Sequence, residues 1–236
     1  EDFARALALY QRSGNLLGQA ETQSALGAAL ASLGGAEEAA PQYGKAVELQ
    51  RTLGNRRSVA GDLRELAGAM SLAGQYGDAE KHLKEARAIH ESLDDPAGIA
   101  ATDAALGRVA EARGDYPAAL VAFRHALQGW HQAEDAHGTA ETLDDIGFAQ
   151  YQLGAYNDAQ AQWQRASNVF ETLEEDDGRI RTQQHLGMLA TARGRWRQAR
   201  TLLDAALVRA EASKSPGAIA ASHRALAGLD LMHGAH

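Results

Sequence analysis

The sequence predicts an all-α fold, a solenoid in which antiparallel helix-turn-helix hairpins stack on one another. Its 236 residues are 45% hydrophobic but only 6% aromatic, so the apolar content is mostly Ala, Leu, Val and Ile. The chain has 4 Pro, and an Ala-rich, Pro-poor composition favours helix over sheet because Ala is the best helix former and Pro the worst. Similar residues also recur every 40 positions along the whole chain. Composition and period together predict this fold class.

The 40-residue period is visible in several independent registers. One register holds a large aliphatic residue, at Leu26, Leu66, Leu106, Ile146, Leu186 and Leu226. A second holds glycine, at Gly34, Gly74, Gly114, Gly154, Gly194 and Gly234. Two more hold alanine, at positions 39, 79, 119, 159 and 199 and at positions 46, 86, 126, 166 and 206. A fixed period of this length predicts repeated units, each of which packs only on its neighbours.

The spacing inside one unit predicts two helices and the turn between them. In the fourth unit, Leu143, Ile146 and Gly147 lie at i, i+3 and i+4, which is one face of a helix. Gly154 stands where this first helix must end, because glycine accepts the left-handed conformation of a helix C-terminus at little cost. The second helix then presents Trp163 between two alanines, so that a bulky side chain fits between small ones.

In chain order, residues 1–13 match the phase of a second helix, since Phe3 and Ala6 precede Tyr43 and Ala46 by one period. Five complete repeats follow at 19–53, 59–93, 99–133, 139–173 and 179–213. Their first helices are expected at 19–33, 59–73, 99–113, 139–153 and 179–193, each just after a turn. A lone terminal helix is expected at 219–232, so that residues 1–236 would form a single array.

These positions resemble the tetratricopeptide repeat. The family pattern of Leu-Gly, Gly, an aromatic residue and two alanines is present in Leu106-Gly107, Gly114, Tyr116, Ala119 and Ala126. The resemblance covers essentially the whole chain and implies a right-handed superhelix. The period is 40 instead of the usual 34, and the added length lies between Ala46 and Ala67. This elongated class is similar to arrays in large bacterial regulators, kinesin light chains and animal spindle-orientation scaffolds.

Charge and composition exclude several classes of partner. The 23 basic and 31 acidic residues give a formal net charge of -8, which argues against a broad nucleic-acid surface. No apolar run reaches the roughly 20 residues that a membrane span needs, so we expect a cytoplasmic protein with no membrane contact. Arginine far outnumbers lysine, which suggests a bacterium with a GC-rich genome. The first residue is Glu1 and not Met, which suggests a piece of a longer protein.

The sequence contains no constellation typical of an enzyme. It has no P-loop, no dinucleotide fingerprint, no HExxH zinc motif and no GxSxG nucleophile motif. We therefore expect no catalytic residue, no cofactor and no metal. Of the nine His, His233 and His236 lie together near the C-terminus, but two ligands there would not make a metal site. Asp94-Asp95 and the acidic run 174–177 are expected in turns, whereas Asp144 differs because its register would face a groove.

The resemblance also implies a concave groove, which the first helix of each hairpin would line at three fixed positions. The candidate partner-binding residues at these positions are Arg64, Arg108, Glu111, Asp144, Phe148, Tyr151, Gln184, Met188 and Arg224. Aromatic anchors surrounded by polar groups are typical of a peptide-binding hot spot. Phe148 and Met188 could instead pack between adjacent first helices. The Asn and Lys of the chaperone-type carboxylate clamp are not present at these positions.

The first functional hypothesis is therefore a module that binds a protein or peptide segment in the groove. It would be the sensor or scaffold part of a larger bacterial transcriptional regulator. One alternative is a receptor for a small peptide signal. Another is a structural spacer that forms homo-oligomers by stacking through its terminal helices, whose apolar faces would lack a neighbour. An enzyme is the hypothesis that the sequence supports least.

Overall fold

The structure is a computed structural model that describes residues 2–234, and these residues form twelve α-helices and no strand. The helices are α1 Asp2–Ser13, α2 Leu16–Ser32, α3 Ala36–Leu53, α4 Arg56–Leu72, α5 Tyr76–Ser92, α6 Pro96–Ala112, α7 Tyr116–Gln132, α8 Ala136–Gln152, α9 Tyr156–Thr172, α10 Asp176–Ala192, α11 Trp196–Ala212 and α12 Pro216–Gly234. The predicted all-α class of stacked helical hairpins is confirmed. His236 lies outside the described residues.

The helices belong to two compact units, Glu1–Ala133 and Glu134–His236. In the first unit, α2 packs with α3, α4 with α5 and α6 with α7, and α4 also contacts α6. In the second unit, α8 packs with α9 and α10 with α11, while α12 contacts both α10 and α11. Each unit is thus a stack of hairpins whose first helices are neighbours. That residues 1–236 form a single array stays a prediction.

Each complete first helix begins three residues before its predicted start, at positions 16, 56, 96, 136 and 176. Three of these helices, α2, α6 and α8, have an Asn or Asp N-cap whose side chain accepts a hydrogen bond from the backbone N–H of the third helical residue. The side chain of Asp95 accepts a hydrogen bond from the backbone N–H of Gly98 at 3.0 Å, and Pro96 occupies the first turn. The sequence suggested that Gly98 lies ahead of the helix, but an Asp cap three residues upstream places it inside the first turn.

The turns between helices use the left-handed conformation throughout. Turns from a first to a second helix have glycine there, for example Gly154 at φ 76°. Turns from a second to a first helix use glycine in the first two cases, Gly14 and Gly54, and other residues in the last four: Asp94, Glu134, Glu174 and Lys214. Gly234 repeats the glycine register in sequence, but it is the last residue of α12.

Each hairpin closes around one large side chain that sits on a small residue. A Cβ atom added to Gly107 would lie 2.4 Å from the ring of Phe123, and one added to Gly147 would lie 2.6 Å from the ring of Trp163. The alanines of both predicted registers that flank these rings are fully buried. Leu106, a member of the large aliphatic register, is partly buried and packs against the cluster that contains Ala67 and Leu83. In the hairpins that have glycine at this position, the close approach of the paired helices therefore depends on the missing Cβ atom.

Candidate functional site

The second unit contains a groove of about 590 Å³ between α10 and α12, closed at one end by α8. Twelve residues line it: Tyr151, Gln184, His185, Met188, Thr191, Ala192, Ala221, Arg224, Ala225, Gly228, Leu229 and Met232. This set includes four of the predicted partner-binding residues, namely Tyr151, Gln184, Met188 and Arg224. The volume lies within the range of ligand pockets in proteins.

The groove exists because equivalent positions of the two neighbouring helices differ in size. Residues of α12 lie one 40-residue period after those of α10. Where α10 carries His185 and Met188, α12 carries Ala225 and Gly228. Large side chains on one helix therefore face small ones on the next. A Cβ atom added to Gly228 would have no atom within 4 Å, which shows that this side of α12 faces open space.

Apolar side chains make up most of the groove surface, and few polar groups remain available in it. Leu229 is only 2% exposed, whereas Met232 is exposed. Gln184 lines the groove, but its Nε2 atom donates hydrogen bonds to the Ala218 carbonyl at 3.0 Å and to Ser222 Oγ at 2.7 Å. Gln184 thus connects α10 to α12. Arg224 is exposed on α12 and lines the same groove.

Asp144, which was predicted to face a groove, is buried and does not line this one. Its Oδ2 atom accepts a hydrogen bond from Arg181 Nε at 2.6 Å, and its Oδ1 atom lies 2.8 Å from Nδ1 of His185. Arg181 also donates to Glu141 Oε1 at 2.5 Å, and the Asp144 carbonyl accepts from Trp163 Nε1 at 3.1 Å. Asp144 therefore positions residues around the groove and does not offer a carboxylate to a ligand.

In this cluster, the acidic and basic side chains each stabilise the charged form of the other. Burial by itself would raise the pKa of Asp144, but the neighbouring His185 and Arg181 outweigh burial and hold that pKa below its usual value. Burial would likewise lower the pKa of Arg181, but Asp144 and Glu141 raise it above its usual value. Asp144 is consequently ionised at neutral pH and compensated by Arg181.

Two aromatic rings lie close to the ring of His185. Its ring centroid lies 5.1 Å from that of Trp163 and 5.9 Å from that of Phe148. Phe148 itself packs against the buried cluster that contains Trp163 and Leu189. Tyr151 packs on the same cluster and also lines the groove. The alternative in which Phe148 packs between helices thus agrees with its position, whereas Met188 lies in the groove.

Three predicted site residues belong to the first unit. Arg64 on α4 pairs with Glu65 at 3.2 Å. Arg108 and Glu111 lie on α6, the helix next to α4, with Arg108 exposed and Glu111 partly buried. None of the three lines the groove of the second unit.

Arg181 and His185 were not among the site residues predicted from the sequence. A signal for Arg181 was present, because Glu141 and Arg181 occupy one register a single period apart and carry opposite charges. Opposite charges on neighbouring repeats predict an ion pair across the stack. Within residues 2–234, no group of three or more His, Asp or Glu side chains is arranged to hold a metal ion. In the same range, no helix combines the length and the apolar character that crossing a membrane requires.

Comparison with known proteins identifies one family. Residues 57–129 and 98–172 match the family model for the tetratricopeptide repeat. No curated protein matches the sequence.

Solved structures with the same fold include BtubC from P. vanneervenii, with 17% identity, a TM-score of 0.73 and coverage of 91% of this chain and 90% of that one. A Rap protein complexed with competence and sporulation factor has 16% identity and a TM-score of 0.75, over 91% and 66% of the two chains. A signal transduction ATPase from Pyrococcus horikoshii with a tetratricopeptide repeat sensor has 17% identity and a TM-score of 0.73, over 98% and 36%. This chain thus spans about two thirds and about one third of the last two proteins.

Proposed function

Because the chain belongs to the tetratricopeptide repeat family, we propose that it binds a peptide or protein segment in the groove between α10 and α12. The observation that carries this proposal is the 590 Å³ groove itself, in which Tyr151, Met188 and Arg224 converge from three helices. An apolar surface with few oriented polar groups is what a peptide-binding site needs. Repeat proteins of this kind supply binding surfaces, and we propose no catalytic role for this one.

We further propose that the chain is the sensor part of a larger bacterial regulator. The supporting observation is the fold similarity to a Rap protein complexed with competence and sporulation factor and to an ATPase with a tetratricopeptide repeat sensor. A receptor for a small peptide signal is one form of this proposal. A spacer that self-associates through its terminal helices competes with it, and sedimentation at rising protein concentration separates the two. A cytoplasmic location and the absence of nucleic-acid binding stay predictions.

A groove-filling substitution tests the binding site directly. Gly228→Leu places a large side chain in open space inside the groove, so the variant is expected to fold and to lose peptide binding. Gly68→Leu is the matched control, because Gly68 occupies the equivalent position of α4 and also has no atom within 4 Å of an added Cβ. Binding is measured by selecting a randomised peptide library on immobilised protein. Equal peptide recovery by the wild type and by Gly228→Leu would place the site elsewhere.

A further inference from the structure

The groove of the second unit is cationic, although the protein as a whole is acidic. Its twelve lining residues include Arg224 but no carboxylate, whereas the whole chain carries a formal charge of -8. Arg224 is exposed and forms no ion pair with any residue between positions 2 and 234. An unpaired guanidinium beside an apolar surface is suited to a carboxylate of a ligand.

The nearby acidic residues do not neutralise this guanidinium. Asp144 is buried and bonded to Arg181 and His185, and Glu141 is also paired with Arg181. Asp230, on the same helix as Arg224, pairs with Arg200 of α11. These three carboxylates are therefore paired with other side chains, and the charge of Arg224 is available to a partner.

The apolar part of the groove lies one helical turn from Arg224. Gly228 follows Arg224 by four residues, so the two positions lie on one face of α12, roughly 6 Å apart. Around Gly228, the side chains of Met188, Leu229 and Met232 line the groove. Methionine side chains adapt to irregular apolar shapes, and the missing side chain of Gly228 leaves room for an aliphatic group.

We propose that this groove binds a peptide segment in which an aliphatic side chain and a carboxylate lie on the same side of an extended chain. The aliphatic side chain of Leu or Met size enters the space above Gly228, and the carboxylate pairs with Arg224. Side chains two positions apart on an extended chain point to the same face and are roughly 6.5 Å apart, which matches one helical turn of α12. The preferred ligand motif is thus Leu-x-Glu or Leu-x-Asp. This inference rests on the proposed peptide-binding function and specifies its ligand.

Two peptide libraries of equal length test the ligand motif, one with fixed Leu-x-Glu and the other with fixed Leu-x-Gln. Affinities of the full chain for both are measured by fluorescence anisotropy at low salt, where a charged contact is least screened. We expect Leu-x-Glu to bind the wild type about tenfold more tightly than Leu-x-Gln. Arg224→Gln should bring the ratio of the two affinities close to one. Arg197→Gln removes the same charge from an exposed position of α11 outside the groove and should leave the ratio unchanged.

The possible failures of the two proposals are distinguishable. If both libraries bind the wild type equally well and Gly228→Leu abolishes both, the groove binds peptides but the carboxylate inference is overturned. If Leu-x-Glu is preferred but Arg224→Gln retains that preference, the inference is also overturned, because a cation other than Arg224 then binds the carboxylate. If neither library binds, and a fully randomised library also yields no groove-dependent peptide, the proposed function itself fails.

Discussion

At the scale of single residues, the buried Asp144 connects Arg181 to His185, a residue that lines the groove. Asp144→Asn would leave Arg181 without its buried counter-ion. Losing one partner of a buried pair costs about 3–5 kcal/mol, but Arg181 is 38% exposed, so we expect a loss of about 2–3 kcal/mol in the free energy of unfolding. Urea unfolding at neutral pH measures this loss. Asp204→Asn, an exposed change on α11, should have little effect.

Asp144 also makes the free energy of unfolding depend on pH, with stability lost as the pH falls. Because the folded state lowers the pKa of Asp144, the stabilisation is present above the unfolded value of about 3.9 and is lost as the pH falls through the lower, folded pKa. The difference in unfolding free energy between wild type and Asp144→Asn should therefore shrink as the pH is lowered below about 4. A difference that stays constant between neutral pH and pH 3 would contradict the conclusion that ionised Asp144 stabilises the fold.

The left-handed turn residues give a further prediction at this scale. Glu174 is exposed with φ 58°, a conformation that costs roughly 1 kcal/mol for a residue with a Cβ atom. We expect Glu174→Gly to raise the free energy of unfolding by about 0.5–1 kcal/mol. Gly154→Glu, at φ 76° in the other class of turn, is the reverse change and should lower it by a similar amount. Thermal or urea denaturation of both variants provides the check.

At the scale of the helices, the sequence predicted which segments are helical but misplaced where the first helices begin. The registers of large and small residues depend on the faces that pack, and those faces are visible as periodicity. In α2, α6 and α8 the N-terminal boundary instead depends on one side-chain hydrogen bond, such as the one that the Gly98 N–H donates to Asp95, and periodicity does not reveal such a bond. Gly98 was expected just ahead of the helix, yet it lies inside the first turn, where the ring of His90 occupies the space that a side chain would need.

The candidate site was also predictable only in part, because the repeat spacing gives positions on a helix face but not the contacts with the next repeat. Family spacing placed Met188 and Arg224 on the side of the helices where a groove forms. It could not distinguish the buried Asp144 from an exposed one, because that depends on Arg181 and His185 of the next repeat. The open space of the groove could not be predicted from the repeat pattern either, because it arises from the difference in size between His185 and Ala225 at one register.

The packing of a large ring on a missing Cβ atom gives the prediction for a hairpin. Gly107→Ala would place a Cβ atom 2.4 Å from the ring of Phe123, so α6 and α7 must separate. We expect a loss of about 1–3 kcal/mol in the free energy of unfolding. Gly44→Ala, inside α3 with no atom within 4 Å, should instead stabilise the protein by about 0.5–1 kcal/mol. Chemical denaturation compares the two, and a gain for both would contradict the packing account.

A compensating substitution refines this test. One repeat earlier, Ala67 and Leu83 occupy the positions of Gly107 and Phe123 and lie in one buried cluster. An alanine is therefore accommodated where the facing side chain is a leucine. Adding Phe123→Leu to Gly107→Ala should cost less than the sum of the two single changes, because the variants share one contact. Simple additivity would mean that the clash is relieved elsewhere.

At the scale of the whole chain, stability is expected to be local. In a repeat protein each hairpin contacts only its neighbours, and this chain divides into two compact units. Unfolding therefore need not be a single all-or-none transition, and the effect of a core substitution should be confined to the unit that contains it. The two units offer a matched pair of fully buried leucines, Leu63 and Leu203.

Hydrogen exchange of two variants tests this locality. Leu203→Ala removes a fully buried side chain from α11 and should cost about 2–5 kcal/mol. The faster amide exchange that follows should appear in α10, α11 and α12, while α3, α4 and α5 keep their wild-type protection. Leu63→Ala should produce the opposite pattern, because Leu63 packs with Val47, Val59 and Ala86 in the first unit. Peptide-resolved mass spectrometry distinguishes the outcomes, and loss of protection along the whole chain in both variants would show that the units unfold as one.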